Sequence, residues 1–382
     1  MQISTINPTE SIRIVHSGSD YFSRLEQLIL DSTTEIHIQM YIFENDETGK
    51  KVVESLKKAA DRNVKIYLLL DGFGSSSLSN SFINDLRKNR INVRFFSPLF
   101  SANSFYISRR LHQKVVVSDS KTLLIGGINI ANKYHGTELE RAWLDYAVEI
   151  KSEMVEVLQD LCRATYFRKR TGNLKNLEAN FGTNTKIKIL RNDWLNRKNE
   201  VYKAYINSIF TAKKEIIIVG SYFLPGRKLT HALKKASNNN VKIKLILSGI
   251  SDIPLLRKAT YYFYSTFLES NIEMYEWNKS VLHGKAAVVD GNWTTIGSFN
   301  LNHLSSYGSI EMNVGIHSVE FSQEYRAHLT GIIEQCIVIT ADTLKVKQHF
   351  ISKYTNQFSY WIIRVILLII TYLPYKRILK LH

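Results

Sequence analysis

The chain repeats itself once, and this constrains its fold more than any other feature. Leu56-Lys57-Lys58-Ala59-Ala60 runs into Asn63-Val64-Lys65-Ile66 and an apolar stretch to Leu70. Leu233-Lys234-Lys235-Ala236-Ser237, 177 residues later, runs into Asn240-Val241-Lys242-Ile243 and a similar stretch to Leu247. Upstream, Glu35-Ile36-His37-Ile38 leads to Tyr41 as Glu215-Ile216-Ile217-Ile218 leads to Tyr222. Downstream, Leu111-His112-Gln113-Lys114 is echoed by Leu282-His283-Gly284-Lys285. The shared order predicts two similar halves, 1–152 and 185–345. A connector rich in Lys, Arg and Asn, 153–184, joins them, and a tail, 346–382, follows.

Each half reads as strand, helix, strand, helix, then a pair of strands. In the first, 36–41 and 64–70 read as buried strands. Between them Val52, Val53, Leu56, Ala59 and Ala60 recur at helical spacing. A helix over 82–88 and a strand over 93–96 follow, and 115–118 and 123–126 pair around Asp119-Ser120-Lys121. Asp290-Gly291 at the equivalent turn is a strong hairpin signal. Alternating strands and helices imply an α/β fold, here two pseudo-symmetric α/β halves.

In a strand, residues i and i+2 face the same side, so His112 points with Lys114 and His283 with Lys285. An ammonium beside an imidazole can hold a phosphate oxygen while the imidazole attacks phosphorus or moves a proton. Asp119 and Asp290 stand seven residues beyond their histidines, at the hairpin turns, and read as structural ties. Gly126-Gly127-Ile128-Asn129 and Gly297-Ser298-Phe299-Asn300 each begin 14 residues after a histidine. Small residues at Gly127 and Ser298 would let backbone amides approach a phosphate, and Asn129 and Asn300 could add donors. Asp145 and Glu311 are the candidate carboxylates for orienting the imidazoles.

The doubled pattern His-x-Lys-x4-Asp, with Gly-Gly/Ser-x-Asn downstream, resembles the phospholipase D superfamily over roughly residues 12–340. Within it the chain is similar to bacterial cardiolipin synthases of the type without N-terminal membrane helices. The matching segments include Tyr41-Ile42-Phe43, Asp71-Gly72-Phe73-Gly74-Ser75, Tyr222-Phe223-Leu224-Pro225 and Glu311-Met312-Asn313. The resemblance implies two phospholipase D-like halves packed around one shared active site. Its catalytic set would be His112, Lys114, Asp119, His283, Lys285 and Asp290. One histidine would become a phosphohistidine and the other would protonate the departing alcohol. A second alcohol, in a cardiolipin synthase a second phosphatidylglycerol, would then take the phosphatidyl group. By analogy His112 attacks and His283 does acid–base work, with Glu311 paired to His112 and Asp145 to His283; the repeat itself is symmetric on this. Leu111, Gln113, Asn302 and Ser309 depart from the family pattern at positions expected around the phosphate pocket, which leaves the acceptor open. No cofactor or metal is implied, because two imidazoles and two ammoniums can neutralise a phosphodiester.

Lys plus Arg outnumber Asp plus Glu by 50 to 34, a formal charge of +16 that calls for an anionic partner. Acidic lipid and nucleic acid both fit. The tail favours lipid. Residues 360–373 are nearly all apolar, interrupted by Arg364, and a helix of that length spans about 21 Å against a hydrocarbon core of about 30 Å. Flanked by Lys353, Lys376, Arg377 and Lys380, it reads as a segment lying in the bilayer interface, the alternative being a terminal core helix. The expected partners are therefore anionic phospholipids, phosphatidylglycerol among them, and a membrane surface rather than nucleic acid. Residues 1–11 carry no secretory signal, which places the expected site on the cytoplasmic face of the membrane. Cys162 and Cys336 give neither zinc spacing nor a disulfide framework and are expected as buried thiols. Phe105-Tyr106 and Tyr261-Tyr262-Phe263-Tyr264 are expected core aromatics that could also line an acyl-chain entry. Arg109-Arg110 would be a headgroup ligand or an exposed loop pair. Two other readings stay open: a hydrolase or nuclease of the same fold transferring to water, and a non-catalytic membrane-binding protein. Two intact histidine–lysine pairs weigh against the last.

Overall fold

A computed structural model describes residues 10–98, 100–101, 104–105, 109–169, 177–193, 196–347 and 350–372. The first half comprises β1 (Ser11–His16), α1 (Ser19–Asp31), β2 (Glu35–Met40), α2 (Glu47–Asp61), β3 (Lys65–Asp71), α3 (Asn80–Lys88) and β4 (Ile91–Phe96). It continues through β5 (Lys114–Ser118), β6 (Thr122–Gly126), β7 (Tyr146–Lys151) and α4 (Val155–Tyr166). Its seven strands form one sheet in the order β1-β7-β6-β5-β2-β3-β4. Strands β2, β3 and β4 run parallel, and their crossovers are the helices α2 and α3. Every residue of β2 is buried, because both faces of the sheet are covered, and its alternating polar residues Glu35, His37 and Gln39 find hydrogen-bond partners inside the protein.

The second half comprises β8 (Glu178–Phe181), β9 (Thr185–Asp193), α5 (Glu200–Thr211), β10 (Glu215–Gly220), α6 (Arg227–Asn238), β11 (Lys242–Ser248), α7 (Pro254–Tyr261) and β12 (Glu273–Trp277). It continues through β13 (Lys285–Val289), β14 (Trp293–Gly297), α8 (His303–Tyr307), β15 (Ser309–His317), α9 (Val319–Ile333) and β16 (Ile337–Ile339). The main path of its sheet is β8-β9-β15-β14-β13-β10-β11-β12-β16. Without the edge strands β8 and β16 this is, strand for strand, the order of the first sheet. The repeat is thus a repeat of topology.

Three apolar layers hold the molecule together. Leu25, Val53, Leu56 and Leu86 pack the helices of the first half on their sheet. Tyr205, Leu229 and Leu233 do the same in the second half. Between the sheets, Val115, Val117, Ile125 and Val148 meet Ile217, Val219, Val288 and Val314, with α4 and α9 closing the layer through Leu158 and Leu329. Each such side chain contributes about 1.5–3 kcal/mol on full burial, so the central layer joins the halves into one body. Residues 153–184, expected as a connector, include α4 and β8, and Cys162 is buried in the central layer while Cys336 is half-buried.

A last helix, α10 (Phe350–Tyr372), packs along α7 and touches α8. Ile363 is buried in the outer core, and Tyr360 stacks on Tyr262 with ring centroids 4.5 Å apart. The opposite face leaves Phe358, Trp361, Val365, Ile366 and Ile369 exposed. The tail is therefore a core helix on one side and an apolar surface on the other. Leu373, Lys376, Arg377 and Lys380 lie outside the described residues, as does Tyr106. Among the described residues no helix is long and apolar enough to cross a membrane.

The two hairpin aspartates lie at the end of their strands remote from the histidines. Asp119 accepts from the backbone amides of Thr33, Thr34 and Glu35 at 2.8–2.9 Å, and Asp290 from those of Lys213, Lys214 and Glu215 at 2.7–3.0 Å. Both turns place two successive residues at positive φ, Asp119-Ser120 and Asp290-Gly291, as a type I′ turn requires. The assignment of these aspartates to the catalytic set is corrected accordingly: they fix the hairpins against the loops before β2 and β10. Burial opposes the charge of Asp119, but the donors of Glu35, Thr34 and Thr33 outweigh it and hold the carboxyl at about 2. Its folded pKa lies below its unfolded one, so its stabilisation is present above the ordinary carboxylate range and is lost as pH falls toward 2. Asp119→Ala is expected to destabilise the fold by about 1–3 kcal/mol in urea denaturation at neutral pH, with a smaller difference from the parent in acid; equal midpoints at both pH values would refute the role.

Candidate active site

Backbone pairing across the halves sets the site. The two-residue strand Arg110–Leu111 pairs in parallel with the start of β15, and the His112 amide donates to the Ile310 carbonyl at 3.0 Å. In the mirror-related crossing, the Leu144 amide donates to the Val281 carbonyl at 2.9 Å. The amides of His283 and Gly284 donate in return to the Leu144 carbonyl at 2.8 and 2.9 Å. Each histidine segment is therefore stitched to the segment that carries the other half's carboxylate.

His112 Nδ1 lies 2.9 Å from Glu311 Oε2, and His283 Nδ1 lies 2.5 Å from Asp145 Oδ2. A carboxylate accepts, so the proton of each neutral ring sits on Nδ1 and a lone pair is left on Nε2, which in His283 lies 3.4 Å from the Tyr134 hydroxyl. Lys114 Nζ donates to the carbonyl of His112 at 2.5 Å, and Lys285 Nζ to that of His283. Each ammonium also faces an aromatic ring: Lys114 lies 5.0 Å from the centroid of Tyr41, and Lys285 lies 5.9 Å from that of Tyr222. Tyr41 sits edge-on to His112, and Tyr134, Trp143 and Tyr222 surround His283.

Burial dominates the electrostatics. It lowers both imidazoles below their ordinary value, His283 well below, and the charges of Lys285 and Lys114 push His283 further down. It also brings Lys114 to about 7 and Lys285 to about 8, with Glu311 and Asp145 pulling the other way, and pushes Asp145 up to about 7. The lysine of each motif acts on the histidine of the other, so the two motifs form one electrostatic centre. A negative phosphodiester placed there would raise the pKa of every cation that faces it.

The downstream loops have a different task from the one expected. The amides of Gly127 and Ser298 donate to the carbonyls of Tyr146 and Met312 and so are not available to a phosphate. A Cβ on Gly127 would meet Asp145 Oδ1 at 2.3 Å; the glycine makes room for the carboxylate. Ser298 Oγ donates to Glu311 Oε2 at 2.5 Å. Asn129 accepts from the Ile42 amide and donates to the Tyr134 hydroxyl, while Asn300 accepts from Ser221. These residues position the carboxylates and the aromatic walls. Gln113 is buried against Gln39, Leu111 is fully buried, Ser309 is buried, and Asn302 caps α8. Arg109 pairs with Asp193 at 2.5 Å, and Arg110 is buried, donating to the Ser97 carbonyl at 2.9 Å; neither forms an exposed loop pair. The aromatic walls went unrecognised in the sequence as parts of the site. Tyr41 and Tyr222 could have been found, since they occupy equivalent places just after β2 and β10.

Two segments, residues 25–162 and 205–333, match the family described as cardiolipin synthase, phospholipase D-like domain. The chain belongs to the phospholipase D-like cardiolipin synthase family. It is 31% identical over 353 residues to cardiolipin synthase B of Escherichia coli strain K12, covering 90% of this chain and 84% of that one. It is 28% identical over 340 residues to the minor cardiolipin synthase ClsB of Bacillus subtilis strain 168, covering 87% and 83%. Among solved structures, phosphatidylserine synthase of Haemophilus influenzae Rd KW20 superposes with a TM-score of 0.75 at 14% identity, covering 96% of this chain and 97% of that one. That likeness establishes a common fold.

In this family member, Gly127→Ala is expected to displace Asp145 and lower kcat by about 10²-fold or more with circular dichroism unchanged. Ser298→Ala, which leaves the His112–Glu311 contact in place, is expected to lose less. Full activity in Gly127→Ala would refute the glycine's role.

Proposed function

We propose that the protein is a phosphatidyl transferase that makes cardiolipin from two molecules of phosphatidylglycerol. The observation that carries this reading is the pair of buried imidazoles, each held by a carboxylate of the opposite half and flanked by a lysine. The cardiolipin synthases among its relatives support the choice of lipid.

In the first step His112 Nε2 attacks phosphorus and forms the P–N bond. The P–O bond to glycerol breaks, and His283, which takes up a proton on Nε2 as the negative phosphodiester binds, gives that proton to the departing oxygen. In the second step a hydroxyl of another phosphatidylglycerol loses its proton to His283 as its oxygen displaces His112 from phosphorus. Cardiolipin and glycerol leave, and both histidines regain their starting forms. Lys114 and Lys285 hold the phosphate oxygens throughout. The side chain of His112 is 14% exposed against 5% for His283, which supports His112 as the group that meets phosphorus.

Purified protein with phosphatidylglycerol in detergent is expected to yield cardiolipin and glycerol; phosphatidic acid as the sole product would assign a hydrolase instead. Acid-free denaturation during turnover of a phosphate-labelled lipid is expected to leave label on His112, and label on His283 would reverse the roles. Because Lys114 and Lys285 lose their charge as pH rises through about 7 and 8, kcat/KM is expected to fall on the alkaline side of neutrality. The kcat profile, which reports the phosphate-bound state, should extend to higher pH. A kcat/KM that stays flat to about pH 10, near the ordinary lysine pKa, would refute the role of the lysines.

The outer face of α10 supports peripheral attachment to a bilayer: an apolar stripe on a chain of charge +16. Trp361→Glu with Ile369→Glu, both at exposed positions, is expected to abolish co-sedimentation with anionic vesicles without unfolding the protein. Undiminished sedimentation would refute this attachment.

A further inference from the structure

Helices α6, α8 and α10 border an open cavity of about 330 Å³ that no catalytic side chain lines. Its walls divide by chemistry. Arg227 and Lys228, on the exposed first turn of α6, and Arg364 on α10 supply three positive charges. Leu224, Leu301 and Ile363 supply an apolar floor, and no carboxylate is among the lining residues. The cavity shares one contact with the surroundings of the catalytic centre. Asn302, on its wall, donates to the carbonyl of Tyr222, whose ring borders His283.

Arg364 interrupts the apolar run of the tail, and its orientation is informative. On a helix lying at a bilayer surface, a cation gains most by reaching outward to the headgroups. Arg364 instead lines the cavity. It is half-buried and donates to the Tyr360 hydroxyl at 3.2 Å, while its outer side lies 5.4 Å from the centroid of the exposed Trp361 ring. Its charge reaches His303 across the cavity, adding to the burial that lowers that imidazole. These contacts orient the guanidinium without neutralising it.

We propose that this cavity is a second binding site for an anionic phospholipid, separate from the catalytic cleft. The phosphodiester would lie among Arg227, Lys228 and Arg364, with the first acyl carbons along Leu224, Leu301 and Ile363. The volume suits a headgroup with part of its chains. A free phosphate would gain nothing from the apolar floor, and a neutral lipid would leave three cations unmatched. The bound lipid would bridge α10 to α6 and couple the tail to the loop that walls the catalytic centre.

The test counts lipid and does not need turnover, so its failure would leave the phosphatidyl-transfer reading intact. Full-length protein carrying His112→Ala is titrated with dioctanoyl phosphatidylglycerol in detergent and weighed by native mass spectrometry. Adding Arg364→Gln, or separately Arg227→Gln with Lys228→Gln, is expected to weaken one bound lipid by about tenfold and leave any others unchanged. The second pair lies at exposed positions, which guards against misfolding. Equal lipid occupancy in the parent and both variants would overturn the proposal. Displacement of that lipid by millimolar inorganic phosphate would assign a free-phosphate site instead. Equally tight binding of dioctanoyl phosphatidylcholine would remove the role of the cations.

Discussion

The site depends on two hydrogen bonds that cross between the halves, from His112 to Glu311 and from His283 to Asp145. Each carboxylate is fully buried, a position tolerable only with a partner in place. The crossing backbone contacts at Leu111–Ile310 and Leu144–Leu282 supply that partner by fixing the register of each histidine against the opposite half. Move either segment by one residue and the imidazole turns to the other face of its strand. The central apolar layer, the type I′ turns and the glycine at 127 all serve to hold this register.

Near-symmetry does not make the two centres equal. Asp71 at the end of β3 accepts from the amides of Leu111, Phe73 and Gly74, clamping the loop that delivers His112. The matching place at the end of β11 is Ser248, which bonds locally to the Ile250 carbonyl. On the other side, Tyr222 donates to Asp252, and Tyr134 lies 3.4 Å from His283 Nε2. Among the described residues His112 therefore rests on a fixed loop with one aromatic neighbour, while His283 sits within a cage of three. Such differences would suit the two copies of the motif to the different parts that the proposed transfer gives them.

Much of the fold was legible because it rests on pattern. The buried strand β10 appears as an unbroken apolar run, Ile216 to Val219, and α2 and α6 as helical stripes with the same Leu-Lys-Lys-Ala core. The histidine–lysine pairs follow from strand alternation. What the sequence could not disclose was direction. Gly127 and Ser298 looked suited to cradling a phosphate, yet their amides already belong to strand pairing, and their small size serves the carboxylates. Arg109 and Arg110 read equally as a headgroup ligand or an exposed pair, but each meets a partner brought from elsewhere by the fold. The tail looked apolar all round because it has two environments, protein on one face and an open apolar surface on the other.

The 199-residue span between His112 and Glu311 also bears on synthesis. A ribosome completes the first sheet, and α4 after it, well before β15 exists. Until then Asp145 and His112 belong to a half-built molecule in which neither has its counterpart. A nascent first half thus carries one histidine–lysine motif without the carboxylate that orients its imidazole, and both contacts between the halves exist only once the second half has docked.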